Sequence, residues 1–281
     1  MNKSYNQRIN DAKSAINQAD CIIIGGGAGL SAAAGLFYTG KRFTDHFGPF
    51  IDKYGFSDLY TSSFYPFKMQ EEKRAYWSRH IHLNRYATGP TKLYRELYHL
   101  VSKKAHHVIT TNVESQFEKA GFSPLNIFEV QGNYSYLQCA KGCHNKLYDN
   151  ESLIEEMIAT MIDCAIPSYL VPKCPVCGGD MDPNLRSNRF FVQDEQWLIS
   201  EKLYRNFLEK FGDKRIVFME LGVGFNTPEI IRYPFEQMTY NNANATLLRL
   251  NRDHSEGVVE NIDRTIAFVE DMHSVIVQLT D

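Results

Sequence analysis

The sequence predicts the α/β class: a parallel sheet covered by helices, with a smaller module inserted into it. Three observations predict it. Short runs rich in Ile, Val, Leu, Phe or Thr recur along the 281 residues, helix-like segments separate several of them, and two stretches break the alternation. Continuous apolar runs suit strands buried on both faces, and strand–helix alternation suits a parallel sheet.

The elements follow in order. Cys21–Gly25 is the first predicted strand, and it runs into Gly25-Gly26-Gly27-Ala28-Gly29 and an alanine-rich helix start. Residues 37–106 depart from the pattern, being rich in Tyr, Phe, His and Arg with helical signals; Lys92–Ser102 is helix-like. His107–Thr111 and Ile127–Gln131 are strands on either side of the helix-like Glu114–Ala120. Residues 134–189 form the second excursion, with Pro167, Pro172, Pro175 and Pro183 and the four paired cysteines. Gln196–Phe211 keeps helical spacing through Leu198, Leu203 and Phe207 or Leu208. Ile216–Leu221, Thr246–Leu250 and Thr265–Val269 complete the strands. The expected domains are therefore 1–36, 107–133 and 190–281 for the sheet, and 37–106 with 134–189 for the module.

Composition narrows the function. With 43% hydrophobic and 22% charged residues the chain is neither disordered nor low-complexity. Thirty Lys and Arg against 33 Asp and Glu give a net charge of −3, so no basic field favours nucleic acid. The polar start Met1–Asn6 carries no apolar signal, and the apolar stretch from Cys21 to Phe37 is interrupted by glycines and too short to span a bilayer. A cytoplasmic protein with no membrane partner is expected.

Two motifs carry chemistry. Strand, glycine turn and helix start together bring backbone N–H groups to a pyrophosphate, and Gly27-Ala28-Gly29-Leu30-Ser31-Ala32 satisfies G-x-G-x-x-A. A Rossmann-like nucleotide site is expected, with a tightly packed turn as the plain alternative. No apolar run leads to an acid about 20 residues later, which counts against hydride transfer, and there is no phosphate-loop G-x-x-x-x-G-K-[ST]. The second motif is Cys139-Ala140-Lys141-Gly142-Cys143 with Cys174-Pro175-Val176-Cys177. Two close pairs in a long chain favour a closed Cys₄ zinc ribbon of structural role. His144 and Cys164 compete as ligands, but His144 is expected to point elsewhere and Cys164 to be core. By position after their strands, Asn251, Arg252 and Asp271 are candidates for the adenosine half of a nucleotide.

Read together, these segments resemble the sirtuin pattern. Gly27-Ala28-Gly29-Leu30-Ser31 resembles G-A-G-x-S, Thr111-Asn112-Val113-Glu114 a variant of Q-N-I-D, and Glu129-Val130-Gln131-Gly132-Asn133 the E-L-H-G-S/N segment. The cysteine pairs follow, then Gly222-Val223-Gly224 where the family carries G-T-S, and Leu250-Asn251-Arg252-Asp253 resembles I-N-x-E/D. The resemblance implies NAD as co-substrate, with Gly27, Ala28, Gly29, Ser31, Thr111, Asn112, Glu114, Gln131, Gly222 and Gly224 around it. Asn112 would serve the ribose side and an ordered water, and Glu114 the carboxamide pocket. Asn112 also has a plainer reading as the cap of the helix near Glu114.

The departures from the pattern are informative. Leu36-Phe37-Tyr38-Thr39-Gly40 stands where the family continues I-P-D-F-R, so Arg42 and Phe43 are the candidates to supply comparable groups. Gln131 replaces the family's catalytic His. These changes resemble the macrodomain-linked, class M bacterial sirtuins. That resemblance implies ADP-ribosyl transfer to a lipoylated carrier related to the glycine-cleavage H protein, with a macrodomain hydrolase acting on the product. The alternatives are an NAD-dependent deacylase and a non-catalytic NAD or ADP-ribose sensor.

Overall fold

The computed structural model describes residues 3–280, so Met1 and Asn2 of the polar start lie outside the described residues. The strands are β1 (Cys21–Gly26), β2 (Ala105–Thr110), β3 (Ile127–Glu129), β4 (Gly132–Cys139), β5 (Tyr148–Asp149), β6 (Met181–Leu185), β7 (Ile216–Leu221), β8 (Thr246–Leu250) and β9 (Thr265–Phe268). They form a six-stranded sheet in the order β3-β2-β1-β7-β8-β9 and a three-stranded sheet in the order β5-β4-β6. Every pairing in the larger sheet is parallel. Every pairing in the smaller one is antiparallel.

The chain divides into two compact units. One takes the chain up to Ala34, Pro90–Gln131 and the chain from Gln196; the other takes Gly35–Gly89 and Gly132–Glu195. In the first, β1 is buried along its whole length and alternate side chains enter different cores. Ile22 and Ile24 join one apolar cluster with Val108, Met219, Leu248 and Val275. Cys21 and Ile23 join another with Ile109, Phe128, Phe218 and Phe235. This is the period of two that a strand covered by helices on both faces requires.

The helix Lys92–Val101 belongs to this unit, whereas the sequence reading assigned residues 37–106 to the module. Its stripe of Leu93, Tyr94, Leu97 and Val101 packs into the first cluster beside Val275 and Ile276. Burial of each aliphatic side chain in that stripe contributes about 1.5–3 kcal/mol. Amphipathic spacing identifies a buried face but not the surface that covers it.

The second unit centres on aromatic side chains. Phe43, Phe47, Phe50 and Tyr76 are each 1% exposed or less. Phe43 stacks on Phe47 with ring centroids 5.4 Å apart, and Tyr76 meets Phe50 edge to face at 5.9 Å. Among the described residues no helix is long and apolar enough to cross a membrane.

Candidate active site and metal centre

The order of the larger sheet reverses between β1 and β7, and ligands of open α/β sheets bind beyond the carboxyl ends of the strands at such a point. The turn after β1 lies there, and it packs against the turn after β7 more closely than the motif suggests. Gly27 N–H donates to the Leu221 carbonyl (3.0 Å) and Gly29 N–H to the Gly222 carbonyl (2.9 Å). A Cβ on Gly27 would lie 2.7 Å from the Gly222 oxygen, and one on Gly29 would lie 2.7 Å from the Gly222 Cα. Gly222 itself has φ of +62°. These three glycines are therefore required by a backbone crossing. That refines the expectation that the glycine-turn amides face the pyrophosphate, since two of them already have acceptors inside the protein. Gly224 is exposed, and a Cβ there would meet nothing within 4 Å.

Beside this crossing lies a closed polar network. Asn112 Nδ2 donates to the Gly27 carbonyl (3.0 Å) and to the Tyr94 hydroxyl (3.2 Å). Ser31 Oγ donates to Glu114 Oε1 at 2.5 Å, and Tyr94 donates to the same oxygen at 3.4 Å. Glu114 Oε2 accepts from Val113 N–H (3.0 Å), and the Ser31 and Tyr94 hydroxyls lie 3.3 Å apart. All four side chains are buried. Burial, reinforced by the Glu114 carboxylate, holds the Tyr94 hydroxyl well above its ordinary pKa, so it stays an O–H donor. Thr110 Oγ1 accepts from Asn112 N–H, and Thr111 N–H donates to the Gly26 carbonyl, so β2 and β1 hold the segment together.

The capping reading of Asn112 fails. The helix there is the short Gln116–Lys119, preceded by Ser115 at φ +58°, and the Asn112 side chain turns back to Gly27. Gln131 is half-buried just beyond β3, which ends at Glu129, and its Nε2 lies 3.4 Å from Thr227 Oγ1. Asn251 is committed to loop structure. Its Nδ2 donates to the Val223 carbonyl (2.8 Å), while Oδ1 accepts from Asp253 N–H (3.1 Å) and His254 N–H (2.9 Å). Arg252 is exposed and pairs with Asp253. Asp271 caps the helix Met272–Thr280 by accepting from Ser274 N–H at 2.8 Å. In the second unit Arg42 donates to the Phe37 carbonyl and to Asn84 Oδ1 (3.0 Å). Phe43, the other candidate for the NAD loop, lies in the aromatic core.

Sequence reasoning missed Tyr94, which sits inside an apolar helical stripe, and it missed a buried ion network behind the same sheet edge. Glu220 and Arg249 are fully buried and 2.8 Å apart, and Arg249 also meets Glu236 at 2.8 Å. Arg232 donates to the carbonyls of His254 (3.0 Å) and Glu256 (3.3 Å), and so holds the loop after β8. Burial pushes the Glu220 carboxyl above its ordinary pKa against the pull of both guanidiniums. Removing one partner would leave an unpaired buried charge at a cost of about 3–5 kcal/mol. The sequence clue was a pair of charged residues inside otherwise apolar strands.

The four paired cysteines converge in the second unit. The sulfurs of Cys139, Cys143, Cys174 and Cys177 all lie within 4.8 Å of one another. Cys139 and Cys177 are 3.7 Å apart, and Cys143 and Cys174 are 3.6 Å apart. A tetrahedron with Zn–S legs of about 2.3 Å has edges of about 3.8 Å, so these thiols fit one zinc. Gly142 and Gly178, at φ of +56° and +68°, make the turns, and their N–H groups donate to the carbonyls of Cys139 and Cys174. Cys164 is buried and outside the cluster, as expected of core. His144 does not point elsewhere: its Nδ1 lies 3.1 Å from Cys143 Sγ, and its Nε2 lies 2.9 Å from the Tyr148 hydroxyl. A ring bonded to a ligand sulfur on one side and a tyrosine on the other is an outer partner that orients the thiolate.

Comparison with known proteins gives a consistent result. The model of the Sir2 family matches residues 27–202. A Staphylococcus aureus protein named "Protein ADP-ribosyltransferase" is 36% identical over 265 residues, which cover 94% of this chain and 84% of that protein. A Fusarium oxysporum protein named "Probable bifunctional ADP-ribose hydrolase/ADP-ribosyltransferase" is 28% identical over 81% of this chain and 39% of its own length. Among solved structures, one described as "Structural Basis for the Mechanism and Regulation of Sir2 Enzymes" superposes with a TM-score of 0.61 at 17% identity. It covers 98% of this chain and 97% of that one.

Proposed function

Because the chain belongs to the Sir2 family, we propose that it is an NAD-dependent protein ADP-ribosyltransferase of sirtuin type. Bound NAD supplies an activated ribose: the bond from C1′ to the nicotinamide nitrogen breaks, and nicotinamide leaves with the electron pair. A nucleophile of the protein acceptor forms the new bond to C1′ and gives up its proton to water. The chain's own residues then have to position and exclude, which is where most of the rate comes from when charge develops at one carbon.

The observation that carries this reading is the amide at position 131. Deacylation needs a base to take a proton from a ribose hydroxyl, and a neutral imidazole accepts one near pH 7 where an amide cannot. Gln131, half-buried at the carboxyl end of the sheet, is able to hydrogen-bond hydroxyls without removing their protons. ADP-ribosyl transfer to an external nucleophile survives that substitution. The residues present also fit NAD: Asn112 Oδ1 accepts no bond from the described residues, and Gly224 leaves open space beside the β1–β7 crossing.

The acceptor we favour is a lipoylated carrier related to the glycine-cleavage H protein, with a macrodomain hydrolase reversing the modification. The support is the motif resemblance and the pairing of hydrolase and transferase in the name of the Fusarium relative. Six cysteines, none in a disulfide, suit a reducing compartment, in keeping with a cytoplasmic site. The test is to incubate the protein with NAD labelled in its adenylate and a lipoylated carrier. Label retained on denatured carrier is expected; label only in O-acyl-ADP-ribose, with none on protein, would overturn the transferase reading.

A further inference from the structure

We infer that Tyr94 is a positioning residue for this reaction: its hydroxyl, together with the Gly27 carbonyl, fixes the Asn112 amide so that Oδ1 is the atom offered to the ligand. The inference rests on the reading that Asn112 lies in the NAD site. A backbone carbonyl can only accept, so the amide edge facing Gly27 at 3.0 Å must be Nδ2. The second Nδ2 proton points to the Tyr94 oxygen at 3.2 Å, which leaves both amide protons engaged inside the protein. Oδ1 accepts from no group among the described residues, so Asn112 meets a ligand as an acceptor and not as a donor. The partner it selects is therefore a donor: a hydroxyl or N–H of the dinucleotide, or the ordered water beside it.

Tyr94 is suited to the task because its own position is over-determined. The side chain is fully buried on the helix Lys92–Val101, and its ring meets Phe117 edge to face at 4.9 Å. Its single proton has an acceptor in Glu114 Oε1 at 3.4 Å, so its oxygen is left to receive Asn112. Glu114 depends less on it, being held already by Ser31 at 2.5 Å and Val113 N–H at 3.0 Å. Tyr94 thus acts chiefly through Asn112.

The test is a double-mutant cycle of Tyr94→Phe and Asn112→Ala, read by single-turnover nicotinamide release and by calorimetric NAD affinity. Tyr94→Phe keeps the ring and is expected to slow release about tenfold, the equivalent of one hydrogen bond, with NAD affinity changed by less than about threefold. In the Asn112→Ala background the same change should have no further effect; a full additional loss would mean that Tyr94 is merely structural. The Asn112 side-chain NH₂ should also exchange slowly with solvent in the wild type and faster in Tyr94→Phe, which NMR reads without any turnover. Fast exchange already in the wild type would overturn the inference. Wild-type protein that releases no nicotinamide yet shows the slow exchange would count against the proposed function alone.

Discussion

Replacing Gly222 by alanine should break the crossing that builds the site. The added Cβ would lie 2.2 Å from Leu30 N and 2.4 Å from the Gly29 carbonyl carbon, both backbone atoms that cannot swing aside. The φ of +62° adds a left-handed penalty of about 1–2 kcal/mol for a residue with a side chain. Overpacking against backbone adds about 1–3 kcal/mol. The sum is about 2–5 kcal/mol, which in a chain of this size lowers Tm by roughly 5–15 °C. Gly224→Ala is the control, because its Cβ meets nothing within 4 Å. That variant should melt with the wild type and, if NAD passes over this turn, bind NAD about tenfold more weakly. Differential scanning fluorimetry and calorimetric NAD titration report both quantities. A Gly222→Ala protein melting within 1 °C (roughly half a kcal/mol) of the wild type would refute the steric argument. Unchanged affinity in Gly224→Ala would remove that residue from the site.

Two further predictions concern the metal and the pH response. Elemental analysis should find about one zinc per chain, and Cys139→Ser should lose it along with the order of the smaller sheet; full zinc retention would contradict the assignment. His107 is buried against Tyr204 and Phe207 with Nε2 unpaired, and burial lowers its pKa to about 4. The unfolded chain therefore binds a proton near 6.5 that the folded chain refuses until about 4. Stability should fall as pH drops through that window, by roughly 3 kcal/mol from this residue. Denaturant melts of His107→Phe should show a correspondingly flatter slope between pH 6.5 and 4, and identical slopes would exclude His107 as the source.

Much of the fold was legible because β1 is apolar on both faces and helix-like segments alternate with the strands, the pattern of a helix-covered parallel sheet. The zinc ligands were legible because chelating pairs in tight turns are local in sequence. What stayed hidden depends on distant partners. The packing reason for Gly27 and Gly29 lies in Gly222, far along the chain, so the motif alone did not reveal the backbone crossing. Tyr94 is indistinguishable from Leu93 and Leu97 in an apolar stripe until Asn112 is folded against it. Glu220 and Arg249 are charges whose partners sit on another strand and a helix, so composition alone suggests solvated positions. Phe43 was proposed by its proximity to a missing motif, and its burial against Phe47 was not visible in that local context.

The central claim is that Gln131 directs the ribosyl group to an external nucleophile. Its most direct test is the ratio of nicotinamide released to ADP-ribose bound on the lipoylated carrier, measured in one turnover by chromatography and intact-protein mass spectrometry. The account predicts a one-to-one ratio with no O-acyl-ADP-ribose. Nicotinamide released with the carrier unmodified, or appearance of O-acyl-ADP-ribose, would contradict it.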